Sequence, residues 1–143
     1  FEEKGIKITG ISTFHDEAFG NKRGKNIIYV FEMDGLRICH CGDLGHVLDA
    51  EQIAEIGEID ILLIPVGGVY TINAAQAFEV MNSLNPVITI PMHFKTPALK
   101  FSLGTVDEFI ALAQGGERIG RQEIEVTKDG VTGYSDIIIL DYE

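Results

Sequence analysis

The chain has 143 residues, of which 45% are hydrophobic and 23% charged, a globular composition long enough for one domain with a hydrophobic core. It carries 22 acidic and 11 basic residues, and the net charge of −11 disfavours nucleic acid as a partner because an acidic surface repels phosphate. No apolar run reaches the roughly 18 residues of a membrane-spanning helix, so no membrane partner is expected. The first residue is Phe1 and the opening segment lacks the apolar core of a secretory signal, so we expect that another segment preceded it.

The first third of the chain is predicted to form β-strands. Residues 6–12 alternate apolar and polar side chains, as a half-buried strand does, and a polar loop follows them. Residues 26–33 and 36–42 form two further predicted strands. They are joined by Asp34 and Gly35, a pair that is typical of a two-residue β-hairpin turn.

The rest of the chain alternates helices with strands. Helices are predicted over 49–57 with Asp49 as its cap, over 71–85 with Thr71 or Asn73 as its cap, and over 105–116 starting at Thr105. Continuously apolar strands are predicted at 59–68 and 86–94, and two short strands in the tail at 121–128 and 135–142. The pattern indicates a single α/β domain spanning 1–143.

The two cysteines are Cys39 and Cys41, one residue apart. Alternate residues of a strand point to the same face, and a disulfide across so short a loop is strained. We therefore expect plain thiols, in keeping with a cytoplasmic location.

Histidines lie at predicted strand ends, where α/β folds gather their functional groups. His15 follows the first strand, His40 and Asp43 end the hairpin, and His93 ends a buried strand. Imidazole and carboxylate are ligands of zinc, manganese and iron. Spacing alone favours solvated or structural histidines over ligands, because no HxxxH or CxxC cluster fixes a geometry.

Gly67 and Gly68 also end a predicted strand. They either allow another backbone to approach closely or form a tight turn before the next helix, and the sequence alone favours the turn.

The strings HCGDLG, IDILLIPVGGVYTINAAQA and PVITIPMHF occur in this order. Together they resemble the predicted zinc-dependent hydrolases of the metallo-β-lactamase superfamily, in the branch of the ascorbate-6-phosphate lactonase-like enzymes. The resemblance implies a four-layer αβ/βα sandwich. The chain is expected to be the C-terminal half of it, a mixed sheet with helices on one face.

The resemblance also implies roles for individual residues. His15, Asp43 and His93 match metal ligands, with Asp43 bridging two metals and acting in catalysis. His40, beside Asp43, is expected to orient a ligand or to assist proton transfer, and His46 to line the substrate cleft. Zinc is the expected metal, with manganese and iron as alternatives. The H-x-H-x-D-H motif that supplies the other ligands is absent from the chain, so the site is expected to be incomplete in one copy.

The expected function is hydrolysis of an ester, lactone or phosphodiester of a small molecule by a metal-activated water, with this chain inactive alone. The alternative is a non-catalytic interaction or assembly module that retains the half-fold. Half a sandwich leaves one apolar sheet face without a partner, which predicts a homodimer through that face.

Overall fold

The computed structural model describes residues 1–142. The strands are β1 (Glu2–Glu3), β2 (Ile6–Phe14), β3 (Lys25–Met33), β4 (Leu36–His40), β5 (Ile61–Pro65), β6 (Ile88–Met92), β7 (Glu117–Arg118) and β8 (Ile138–Ile139). The helices are α1 (Ala50–Ile56), α2 (Ala74–Leu84), α3 (Val106–Ala113) and a short 3₁₀ helix at Val131–Gly133. The predicted α/β class is confirmed.

The main sheet has strand order β1-β2-β3-β4-β5-β6 and is mixed. Strands β1 to β4 pair antiparallel, while β4, β5 and β6 pair in parallel. It follows that β2, β4, β5 and β6 all run in one direction and end at the same edge of the sheet. β7 and β8 form a separate small parallel pair.

Short-range sequence signals determine the turns and helix starts. Asp34 and Gly35 have φ angles of 50° and 76°, the left-handed conformation that the predicted hairpin turn requires. Asp49 caps α1 through the backbone N–H of Gln52, and Asn73 rather than Thr71 caps α2. Thr105 precedes α3 as predicted, but its side chain makes no capping hydrogen bond.

Helices cover one face of the sheet, as predicted. Ile28, Leu62 and Ile64 of the sheet are fully buried in one apolar cluster with Ile56 of α1 and Phe109 of α3. Burial of each such side chain contributes about 1.5–3 kcal/mol, so this layer is the main source of stability.

The opposite face is partly covered by the C-terminal segment. Ile138 is fully buried there against Ile88, and Ile124 and Val126 pack on the same cluster. The predicted strand at 121–128 is wrong, because this stretch lies across the sheet without pairing with a neighbouring strand. The predicted strand at 135–142 is confirmed only as the two residues of β8.

The free cysteines lie under the helices. Cys39 and Cys41 are unbonded thiols with no exposed surface. A hydrogen bond between the two thiols, together with burial, raises the pKa of Cys41 well above its usual value, so this thiol stays protonated. Among residues 1–142, no helix is both long and apolar enough to cross a membrane.

Candidate functional site

The shared edge of the sheet gathers the polar residues that the sequence singled out. His15 follows β2, Asp43 follows β4 and His93 follows β6. Neighbouring strands lie about 4.8 Å apart, so the ends of β2, β4 and β6 are separated by about 10 Å at each step. The loops beyond the strands therefore decide whether these side chains can meet.

Three of the predicted residues line one open cleft at this edge. His40, Asp43 and His93 surround a space of about 520 Å³ together with Asn26 and Tyr29. Asp43 and His93 are exposed and His40 is half-buried, so all three are accessible to a ligand. His15 does not line this cleft.

A backbone contact fixes the imidazole of His40. The N–H of Gly42 donates to His40 Nδ1 at 3.0 Å. A neutral imidazole that accepts at Nδ1 carries its proton on Nε2. His40 is thus prepared to donate a hydrogen bond from Nε2.

The backbone of His93 is held in an unusual conformation beside β5. Its φ angle is 51°, in the left-handed region. Gly67 donates its N–H to the carbonyl of His93 at 3.0 Å, and a Cβ built on Gly67 would lie 2.3 Å from that oxygen. Close approach therefore explains the glycine at 67, whereas Gly68, with a φ of 65°, forms the turn.

His15, the third predicted ligand, is half-buried. Its Nε2 is buried and is the one such side-chain nitrogen or oxygen without a hydrogen-bond partner in the described part of the chain. A buried imidazole nitrogen without a partner costs about 1–3 kcal/mol, so a group that binds it would be stabilising. This nitrogen fits a metal ligand, and so do the exposed oxygens of Asp43 and the imidazole of His93.

His46 has a structural role. Its Nε2 accepts from the backbone N–H of Phe14 at 3.1 Å, and its Nδ1 lies 2.7 Å from the carbonyl of Val47. Both ring nitrogens are therefore engaged with backbone groups. His46 lines a separate hollow with Phe14 and Phe19, and not the cleft of Asp43 and His93.

Asp16 is a buried residue that the sequence reasoning did not single out. Its carboxylate accepts four backbone hydrogen bonds, from the N–H groups of Ala18, Gly20, Lys22 and Arg23. Desolvation alone would raise its pKa, but these four donors outweigh it and lower the pKa from 3.8 to about 2. Asp16 therefore holds the loop next to His15 in a fixed shape. The signal in the sequence is an aspartate at the start of a glycine-containing loop.

The predicted residues do not form a closed cluster. Within residues 1–142, no group of three or more His, Cys, Asp or Glu side chains is arranged to hold a metal ion. Asp43 and His93 share a cleft that His15 does not line. The assignment of these three residues as ligands stays a prediction.

Known proteins match about two thirds of the chain. The family described as the beta-lactamase superfamily domain matches residues 1–93. A UPF0173 metal-dependent hydrolase of Thermoplasma acidophilum is 36% identical over 96 residues, which cover 66% of this chain and 42% of that protein. The chain thus spans about two fifths of the length of this curated relative.

Two solved structures of metallo hydrolases also match the chain. A metallo-β-lactamase-superfamily protein of Thermotoga maritima is 46% identical, with a TM-score of 0.77, and the match covers 96% of this chain and 66% of that one. A metallo hydrolase of Ignicoccus hospitalis is 26% identical with a TM-score of 0.59, covering 77% of this chain and 46% of that one.

Proposed function

The chain belongs to the metallo-β-lactamase superfamily, and from this premise we propose that it supplies part of the metal centre of a hydrolase. The observation that carries the proposal is the buried, unpartnered Nε2 of His15 at the sheet edge where Asp43 and His93 also lie. His15, Asp43 and His93 would hold the metal, with zinc favoured over manganese or iron. The names of the relatives support metal dependence, and the name of the Thermotoga maritima protein, a Zn-dependent hydrolase, supports zinc.

The proposed reaction is hydrolysis of an ester, lactone or phosphodiester of a small molecule, in the branch of the ascorbate-6-phosphate lactonase-like enzymes. When bound, the metal supplies the activation of a water and the stabilisation of developing negative charge. Asp43, exposed at the cleft, would be the bridging ligand. His40 would donate from Nε2 to a ligand or to a reacting oxygen, because Nδ1 is already occupied by Gly42.

The chain alone is proposed to be inactive, as the C-terminal part of a longer hydrolase. Support comes from the described residues, where the candidate ligands do not assemble into a group of three. It comes also from the relatives, of which the chain matches only a part.

The test combines metal titration with an activity panel. Zn²⁺ and Mn²⁺ are titrated into the chain, into Asp43→Asn, and into Asp129→Asn, an exposed aspartate outside the site that controls for the lost charge. We expect Asp43→Asn to weaken binding at least about tenfold, as loss of a ligand should, and Asp129→Asn to leave it unchanged. Equal binding by Asp43→Asn would refute the site.

The activity panel uses a nitrophenyl ester, a γ-lactone and bis(nitrophenyl) phosphate, each with added metal. We expect no hydrolysis beyond that of the metal in buffer. Turnover that disappears in Asp43→Asn would contradict the inactivity of the isolated chain and identify the substrate class.

A second proposal concerns assembly, the non-catalytic alternative. Ile27 and Tyr29 are 44% and 41% exposed on the sheet face that the C-terminal segment leaves uncovered. We propose that two copies associate through this face as a homodimer. Sedimentation equilibrium should show a dimer that Tyr29→Lys dissociates, whereas Leu112→Lys, at a residue 44% exposed on helix α3, which covers the other face of the sheet, should not dissociate it. A monomeric wild-type chain would refute this proposal.

A further inference from the structure

Asn26 connects the two parts of the candidate site that the sheet keeps apart. It lies near the start of β3, the strand between β2, which leads to His15, and β4, which leads to Asp43. Because β3 separates them, β2 and β4 cannot pair with each other. Farther along the loop after β4, Gly45 and His46 contact Phe14 directly, whereas beside the strands the link from β2 to the residues just before Asp43 passes through the side chain of Asn26.

The amide of Asn26 makes that link with three hydrogen bonds. Its Nδ2 donates to Thr13 Oγ1 at 2.9 Å and to the carbonyl of Cys41 at 2.9 Å. Its Oδ1 accepts from the backbone N–H of Asp43 at 3.0 Å. The partners fix the orientation of the amide, because a carbonyl can only accept and a backbone N–H can only donate.

The loop before Asp43 is shaped to fit this amide. Gly42 has a φ of 60°, and a Cβ added to it would lie 2.7 Å from Asn26 Oδ1. Thr13, at the other end of the link, is only 1% exposed, so the anchor point lies in the protein interior. The loop therefore passes around Asn26 and reaches the cleft at Asp43.

We propose that Asn26 is a positioning residue, which fixes the backbone of Asp43 relative to the end of β2 so that the Asp43 carboxylate is held ready for metal binding. The inference rests on the proposed function, since it takes Asp43 as a ligand. Groups that orient ligands lower the cost of assembling a site, and their loss weakens metal affinity by about 10- to 100-fold.

The first experiment measures Zn²⁺ affinity by competition with a chromogenic chelator for the wild-type chain, Asn26→Ala and Asn82→Ala. Asn82 is exposed on α2 and serves as the matched control. We expect Asn26→Ala to weaken Zn²⁺ binding about 10- to 100-fold and Asn82→Ala to leave it unchanged. Urea denaturation of the metal-free proteins measures their stability independently of Zn²⁺ affinity. A merely structural role would lower the midpoint for Asn26→Ala but leave the Zn²⁺ affinity of the folded protein unchanged.

Thr13→Val is the second variant, and it tests the positioning role of Asn26 if Asn26→Ala does not fold. It keeps the shape of residue 13 and removes one of the three hydrogen bonds, so we expect about 2- to 10-fold weaker Zn²⁺ binding. Wild-type affinity in each variant that folds would overturn the role of Asn26 while leaving the metal site intact. A wild-type chain that binds no Zn²⁺ would overturn the proposed function, and the inference with it.

Discussion

Gly45 offers a sharp test of how the His15 segment is held. The N–H of Gly45 donates to the carbonyl of Phe14 at 2.9 Å, so residues 14 and 45 run side by side. A Cβ built on Gly45 would lie 2.2 Å from both the carbonyl carbon of His15 and the backbone nitrogen of Asp16. These are backbone atoms, which cannot rotate away as the end of a flexible side chain can.

The structure gives the size of the effect of Gly45→Ala. Normal contacts of a Cβ begin above about 3 Å, so the two segments must separate by about 1 Å, and such overpacking costs about 1–3 kcal/mol of unfolding free energy. The same displacement moves His15, and a misplacement of about 1 Å at a site can cost about 100-fold in function. We therefore expect both stability and Zn²⁺ affinity to fall.

Urea denaturation and Zn²⁺ titration of Gly45→Ala measure the two effects. Gly115→Ala is the matched control, because a Cβ there meets no atom within 4 Å. It should leave the free energy of unfolding unchanged, or raise it by up to about 1 kcal/mol. A Gly45→Ala chain as stable as the wild type would refute the close approach of residues 14–16 to Gly45.

Two further predictions concern Asp16 and the C-terminal segment. Because the folded pKa of Asp16 is lowered from 3.8 to about 2, its stabilising effect is complete above about pH 4 and disappears as the pH falls toward 2. Asp16→Asn should therefore have a lower free energy of unfolding than the wild type at pH 7. In urea denaturations, this difference should shrink as the pH falls from about 4 to 2. A difference that stays constant with pH would contradict the stabilising role of the Asp16 carboxylate. Ile138→Ala removes a fully buried side chain and should lower the free energy of unfolding by about 2–5 kcal/mol, whereas an unchanged midpoint would mean that the segment does not cover the sheet.

The sequence predicts most of the fold because its signals are local. The hairpin at Asp34 and Gly35 and the caps at Asp49 and Asn73 each depend on a few adjacent residues. The prediction for residues 121–128 was wrong because alternating apolar residues also suit an extended segment that lies on a sheet without joining it. Hydrophobic periodicity indicates which side chains are buried, but it does not indicate whether a segment pairs with a neighbouring strand.

From the sequence, the candidate site could be predicted only as polar residues at the ends of several strands. The direction of β2, β4 and β6 brings His15, Asp43 and His93 to one edge, and this follows from the order of elements. The distance between alternate strands and the burial of His15 depend on tertiary packing, which spacing in the sequence does not contain.

The residues that support the site were missed for a related reason. Asn26 and Asp16 act through backbone groups of distant or looping segments. Asparagine and aspartate are common in loops for many reasons, so neither residue carries a distinctive pattern. Only the three-dimensional structure identifies their partners.

The measurement that tests the central claim most directly is the metal content of the purified chain and of His93→Ala, by elemental mass spectrometry after exposure to zinc and dialysis. We predict about one zinc per wild-type chain, because imidazole nitrogens and a carboxylate oxygen are zinc ligands. We predict that His93→Ala does not retain this zinc. A wild-type chain without metal, or a variant that retains it in full, would contradict the assignment of His93 and the proposed metal centre.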